Sequence, residues 1–274
     1  FRHSPLVPGC THTVVARHRS YAGQHRTTRQ KGRLHGRPGG YRDTISIHLY
    51  RRLTPMKLVR DFERRLEKLV DGMAGKVFRG KFHPVELATR LVREADLSVE
   101  ENVAGPTAAN VYSLKLNPRD LDFELPAGVI RELEQMLESA AADRGWRLDG
   151  PATVTLEPDD GVSQGTVSCR VGRSPGLRHP WANLTAETGL KHPIRYNRCT
   201  VGRAEGSDIS IGEPGVSRVH ALLWREGGEA WIVDLGSANG TEVDGSSSTG
   251  PLLLSSGSVV RLGPVSFLFR PVGD

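Results

Sequence analysis

Gly202-Arg203, Ser217-Arg218-Val219-His220 and Ser237-Ala238-Asn239-Gly240-Thr241 follow one another near the C-terminus, separated by short apolar stretches such as Trp231-Ile232-Val233. From residue 181 onward no helical period remains, and Gly, Pro, Asn or Ser recurs every several residues. The pattern predicts strands at 181–184, 191–194, 199–201, 208–211, 221–224, 230–233, 242–243, 259–262 and 265–269. Many short strands with frequent turn signals predict an antiparallel all-β sandwich over 181–274. Each quoted piece then falls on a loop, and loops leaving one end of a sandwich can converge on one site. That site would gather an arginine, a hydroxyl, a second arginine and an amide. Such a set suits a phosphate monoester on a peptide, because a dianion favours forked charged donors and fixed hydrogen bonds.

Working toward the N-terminus, residues 173–180 mix Gly, Pro, Arg and Ser and read as a short linker. Before it, residues 56–172 predict an α+β domain. A helix opens at Met56, with Leu58, Phe62, Leu66, Leu69, Val70 and Met73 on one stripe. A second starts at Pro84, a residue suited to a first helical turn, and carries Val85, Leu87, Ala88, Leu91, Val92 and Ala95 inward. A third covers 127–144. Strands are expected at 111–116, 152–156 and 166–171, and a loop at 102–107. Nothing in this domain has metal-ligand spacing, a nucleotide loop or a nucleophile elbow.

The 274 residues carry a formal charge of +6, but the charge is unevenly placed. Residues 1–55 hold 11 Lys+Arg against a single acid, Asp43, which leaves 26 Lys+Arg and 30 Asp+Glu for the remainder. The basic character therefore belongs to the first 55 residues, which read as a disordered, histidine-rich tail, possible in three ways: a nucleic-acid or lipid arm, vector-derived sequence, or upstream sequence read in frame before a start at Met56. The last is preferred, with the tail non-native. Cys10, Cys169 and Cys199 are few, widely spaced and odd in number, so neither a disulfide framework nor a metal site is expected, and a reducing cytoplasm fits. No cofactor is expected.

In the C-terminal part, the ordered Gly-Arg, Ser-x-x-His and Asn-Gly resemble the forkhead-associated (FHA) family over about residues 181–274. Asp208-Ile209-Ser210-Ile211 and Gly257-Ser258-Val259-Val260-Arg261-Leu262-Gly263 support the likeness. The resemblance implies a non-catalytic phosphothreonine-peptide binder. In it Arg203 and Ser217 contact the phosphate, Arg218 assists and Asn239 bonds the peptide backbone. Gly202, His220 and Gly240 shape the loops. Ala238 departs from the pattern, since some members carry a hydroxyl there. On residues alone, Arg218 also reads as a rim charge and Asn239-Gly240 as a turn former.

The N-terminal domain resembles the domain that precedes the FHA module in actinobacterial FhaA-type proteins. The likeness rests on residues 56–67, Phe82-His83-Pro84-Val85-Glu86-Leu87-Ala88, Leu116-Asn117-Pro118-Arg119-Asp120 and Gly150-Pro151-Ala152-Thr153-Val154. That implies a cytoplasmic adaptor beside Ser/Thr protein kinases, linked to cell-wall synthesis and division, itself a kinase substrate. Its partners would be a phosphothreonine-containing protein and a Ser/Thr protein kinase. Nucleic acid is not expected as a partner, and a membrane only through another protein. The rival readings are nucleic-acid or membrane-surface binding through residues 1–55, and phosphate-independent docking through a sandwich face.

Overall fold

The computed structural model describes residues 84–120 and 127–273, so the basic tail and the helix expected from Met56 lie outside the described residues. Helix α1 (Pro84–Leu97) begins on its proline and buries Leu87, Ala88, Leu91, Val92 and Ala95. Helix α2 (Ala127–Asp143) follows later in the chain and turns Val129, Leu133, Met136 and Leu137 inward. The i, i+3, i+4 spacing of these residues makes each stripe continuous.

Between the helices the chain forms β1 (Glu100–Asn102), β2 (Gly105–Thr107) and β3 (Val111–Leu116). After α2 come β4 (Thr153–Pro158) and β5 (Val167–Gly172). Strand β3 is central, parallel to β4 and antiparallel to β5. Its alternation sends Tyr112, Leu114 and Leu116 into one core with the helical stripes. Each fully buried leucine there contributes about 1.5–3 kcal/mol.

The β1–β2 hairpin corrects the expected loop at 102–107. All three β1 residues are exposed, so no apolar alternation announces the strand. Side-chain bonds hold the turn instead: Asn102 donates to the Thr107 hydroxyl at 2.6 Å and accepts the Ala104 N–H at 2.8 Å. Thr107 itself is buried.

Residues 173–180 carry no regular secondary structure, yet they are tied to the α+β part. The Asn110 amide donates to the Ser174 carbonyl at 2.9 Å and accepts the Ser174 N–H at 3.0 Å. The Arg178 guanidinium is buried against the Gly150 carbonyl and the Glu138 carboxylate.

The C-terminal part is a two-sheet β-sandwich. Its strands are β6 (Ala182–Ala186), β7 (Lys191–Ile194), β8 (Arg198–Gly202), β9 (Ile209–Ser210), β10 (Ala221–Glu226) and β11 (Glu229–Asp234). They continue with β12 (Thr241–Val243), β13 (Ser246–Ser247), β14 (Leu252–Leu254), β15 (Val259–Leu262) and β16 (Val265–Pro271). One sheet has the order β14-β11-β10-β8-β9 and the other β13-β12-β15-β16-β6-β7. All neighbours are antiparallel except β8 and β9. Val201, Leu223, Ile232, Leu184, Val260, Leu262 and Phe269 fill the space between the sheets. Strands β13 and β14 were not expected: one is two exposed serines, the other a run of three leucines without alternation.

The two parts meet along β8 and β10. Asn197 and Arg198, buried at the start of β8, reach the α+β part: Asn197 donates to the Trp146 carbonyl at 3.0 Å, and Arg198 to the carbonyls of Ala104 at 2.7 Å and Gly145 at 3.2 Å. Gly105, at φ 95°, leaves room for that arginine, since a Cβ there would sit 2.6 Å from Arg198 Nε. Ala104 packs with Leu222 and Trp224 on the outer face of the sandwich.

Candidate functional site

Strand β8 ends at Gly202, and Arg203 is the first residue of the loop beyond it. A side chain at 202 would collide with the Arg218 carbonyl, so only glycine lets the serine loop lie against β8. The loops are then joined by backbone bonds. The Arg203 N–H donates to the Ser217 carbonyl at 2.9 Å and the Ala204 N–H to the Arg218 carbonyl at 3.1 Å. Arg203 Nε donates to the Val216 carbonyl at 3.2 Å. Its two terminal nitrogens make no bond among the described residues, and the residue is exposed.

Ser217 is half-buried, and its Oγ accepts the Ala238 N–H at 3.0 Å. With one lone pair filled, the hydroxyl keeps its proton to donate outward. Position 238 thus serves the loop through its backbone, whatever its side chain.

His220 is fully buried and joins two loops. Its Nδ1 accepts the Ser217 N–H at 3.1 Å, which assigns the proton to Nε2, and Nε2 donates to the Gly240 carbonyl at 3.0 Å. Asn239 is exposed and donates to the Gly215 carbonyl at 2.9 Å, and its own carbonyl oxygen accepts no bond among the described residues. Gly240 takes φ 75°, a left-handed position that suits glycine. The Arg218 side chain is exposed and makes no hydrogen bond or ion pair among the described residues; its carbonyl accepts the Ser207 hydroxyl at 3.1 Å.

The structure therefore gathers Arg203, Ser217, His220, Asn239 and Gly240 into one hydrogen-bonded set of three loops. Arg218 sits on the same serine loop with its guanidinium turned to solvent.

Sequence reasoning missed Asp234, the residue that fixes the third loop. Its Oδ1 accepts the N–H groups of Gly236 at 2.8 Å and Ser237 at 2.7 Å. Its Oδ2 accepts the hydroxyls of Ser237 at 2.6 Å and Thr241 at 2.7 Å. Burial pushes this carboxyl's pKa up, but the hydroxyl and N–H donors outweigh it and hold the group below the ordinary carboxylate range. An Asp at a strand end, three residues before Ser, is the sequence signal of such a brace.

Among the described residues no group of three or more His, Cys, Asp or Glu is placed to hold a metal ion, and no helix is long and apolar enough to cross a membrane.

Comparison with known proteins places two family models on the chain: the FhaA N-terminal domain over residues 59–170 and the FHA domain over residues 199–263. The FHA domain-containing protein FhaB of Mycobacterium tuberculosis is 33% identical over 86 residues, which is 31% of this chain and 56% of that protein. The chain thus spans about half the length of these FhaB relatives. The glycogen accumulation regulator GarA of Mycolicibacterium smegmatis is 30% identical over 126 residues, 44% of this chain and 72% of GarA. Among solved structures, the FhaA FHA domain complexed with the intracellular domain of Rv3910 is 28% identical. That match covers 32% of this chain and 99% of the other, with a TM-score of 0.31. With an FhaA N-terminal domain ahead of an FHA domain, the chain belongs to the FhaA-type family of FHA proteins.

Proposed function

We propose that the sandwich binds a phosphothreonine on a partner protein, and that the chain is a non-catalytic adaptor in Ser/Thr kinase signalling. One observation carries this reading. The Arg203 guanidinium and the Ser217 hydroxyl project from loops bonded to each other, and both keep donors that no described residue takes up. A phosphate dianion would take the terminal nitrogens of Arg203 and the Ser217 proton. Arg218 adds charge at the rim. Asn239, already fixed to Gly215, presents its carbonyl oxygen to a peptide N–H.

Charge-assisted bonds of this kind contribute about 1.5–3 kcal/mol each, enough for the phosphate to decide whether a short peptide binds. The FHA family assignment supports the same reading. A cytoplasmic setting, beside a Ser/Thr kinase and linked to cell-wall synthesis and division, is the context that fits an FhaA-type arrangement.

The test is a titration of the full chain with phosphothreonine peptides selected from a degenerate library. Binding should vanish on dephosphorylation and fall steeply in Arg203→Ala. Equal affinity of wild type and Arg203→Ala, or indifference to the phosphate, would refute the reading.

A further inference from the structure

Arg147 belongs to the α+β part, yet its guanidinium grips the base of the loop that carries Arg203. Its Nη1 and Nη2 donate to the two carboxylate oxygens of Asp208, at 2.9 Å and 2.8 Å. Nη1 also donates to the Arg198 carbonyl at 2.8 Å, at the start of β8. Asp208 closes the loop. Its Oδ2 accepts the Thr200 N–H at 2.8 Å and the Thr200 hydroxyl at 2.9 Å, while its own N–H donates back to the Thr200 hydroxyl at 3.1 Å. Residues 200 and 208 thus form a box, and Arg203 lies in the stretch it encloses. Arg203 is three residues past Thr200, roughly 10 Å along an extended strand.

The arginine is itself fixed. Its backbone N–H donates to the Pro106 carbonyl at 2.8 Å, and its carbonyl accepts the Ala108 N–H at 2.9 Å. Nε donates to Asp149 at 2.7 Å, and the guanidinium stacks 4.2 Å from the Tyr196 ring centre. The paired side chains are only 13% and 15% exposed. Removing the arginine would leave the Asp208 carboxylate covered and without its cation, a costly state that the loop would relieve by moving.

We propose that Arg147 is a positioning residue for the Arg203 loop, through which the α+β domain sets the phosphopeptide affinity of the sandwich. This rests on the phosphothreonine reading above. By linkage the coupling runs both ways: peptide bound at the loops tightens the grip of Arg147 on Asp208. The forked geometry is specific to arginine, because lysine keeps the charge but cannot engage both oxygens in plane.

The experiment titrates the full chain with the tightest-binding phosphothreonine peptide from a degenerate library. It compares wild type, Arg203→Ala, Arg147→Met and Arg147→Lys, with thermal unfolding to establish that each is folded. Arg147→Met should weaken binding about tenfold, and Arg147→Lys should recover part of that loss. Amide hydrogen exchange on wild type needs no variant: adding the peptide should slow exchange at Arg147 and Ala108 as well as at Arg203. A folded Arg147→Met that binds within about twofold of wild type overturns the proposal. So does peptide-induced protection that stops at the sandwich loops. If wild type and Arg203→Ala bind alike, the phosphothreonine reading itself fails, and this inference with it.

Discussion

Two sets of arginines surround the sandwich, one at its seam with the α+β part and one at its loop end, and their partners differ. Along the seam with the α+β part, Arg147 and Arg198 are largely buried and bonded to carbonyls or carboxylates of the opposite part, and Arg178 of the linker is buried against Gly150 and Glu138. At the loop end, Arg203 spends one nitrogen on Val216 and Arg218 none among the described residues. The residue type is the same, but each seam guanidinium makes at least two hydrogen bonds across buried surface, while the loop end keeps most of its donors free among the described residues. Burial disfavours the charge of Arg198, with only partial relief from Glu226 and Glu101, so its pKa falls. Arg147 is also disfavoured by burial, but Asp208 and Asp149 outweigh that and its pKa rises. Arg198 and Arg178 should therefore govern stability and the loop arginines affinity, with Arg147 reaching from the seam to the loop end through Asp208.

The largest test of that contrast is Arg198→Leu. The change leaves the carbonyls of Ala104 and Gly145 without their donor and removes the cation packed 5.2 Å from the Trp224 ring centre. Losses of this kind cost about 3 kcal/mol, or roughly 6–12 °C in melting temperature. Calorimetric melting checks it. A shift below about 2 °C would mean the seam contributes little to stability.

Arg203→Ala should show the opposite signature. The side chain is exposed and makes a single 3.2 Å bond among the described residues, so the melting temperature should move by no more than about 2 °C. Phosphopeptide affinity should drop about a hundredfold, the equivalent of about 2.7 kcal/mol. A large loss of stability in this variant would erase the distinction between the two sets.

Much of this was legible in the chain. The alternation of 111–116 and the stripes of Leu87, Leu91, Leu133 and Leu137 depend on apolar periodicity, which is local and strong. The three loop pieces were legible because Gly202, Ser217 and Asn239 stand beside turn-forming neighbours. The β1–β2 hairpin, β13 and β14 were not legible, since exposed serines or glutamates and a run of leucines carry no period of two. The seam was also invisible. Asp208 and Arg198 lie 61 and 51 residues from Arg147, and an arginine in isolation reads as solvated charge. Asp234 was passed over because its four donors lie within seven residues and look like ordinary turn residues.

Asp234→Asn probes a site between the two classes, because the brace affects both stability and loop order. The substitution weakens four bonds to a charged acceptor, at a cost of about 2 kcal/mol at neutral pH. The folded pKa of Asp234 lies below its ordinary value of 3.8, so the charge stabilises the fold at pH above that value. That stability is lost as pH falls through the folded pKa. Denaturant titrations from pH 6 down to about pH 2 should therefore show the difference between wild type and Asp234→Asn shrinking in the acid limb. A difference that stays constant with pH would assign the loss to packing rather than to charge.

The smallest effect is expected from Arg218→Ala, and it separates contact from steering. The side chain is exposed and makes no internal bond among the described residues, so stability should stay within about 0.5 kcal/mol of wild type. A rim charge acts mainly on the encounter with a dianionic peptide, so affinity should fall only about threefold to fivefold at low salt, chiefly through slower association. Raising ionic strength to about 0.5 M should nearly abolish the difference, because screening shortens the reach of an exposed charge. Arg203→Ala should keep most of its loss under the same salt, since a forked bond to phosphate at a fixed loop is screened far less. If salt left the Arg218→Ala deficit intact, that guanidinium would join Arg203 as a direct phosphate contact.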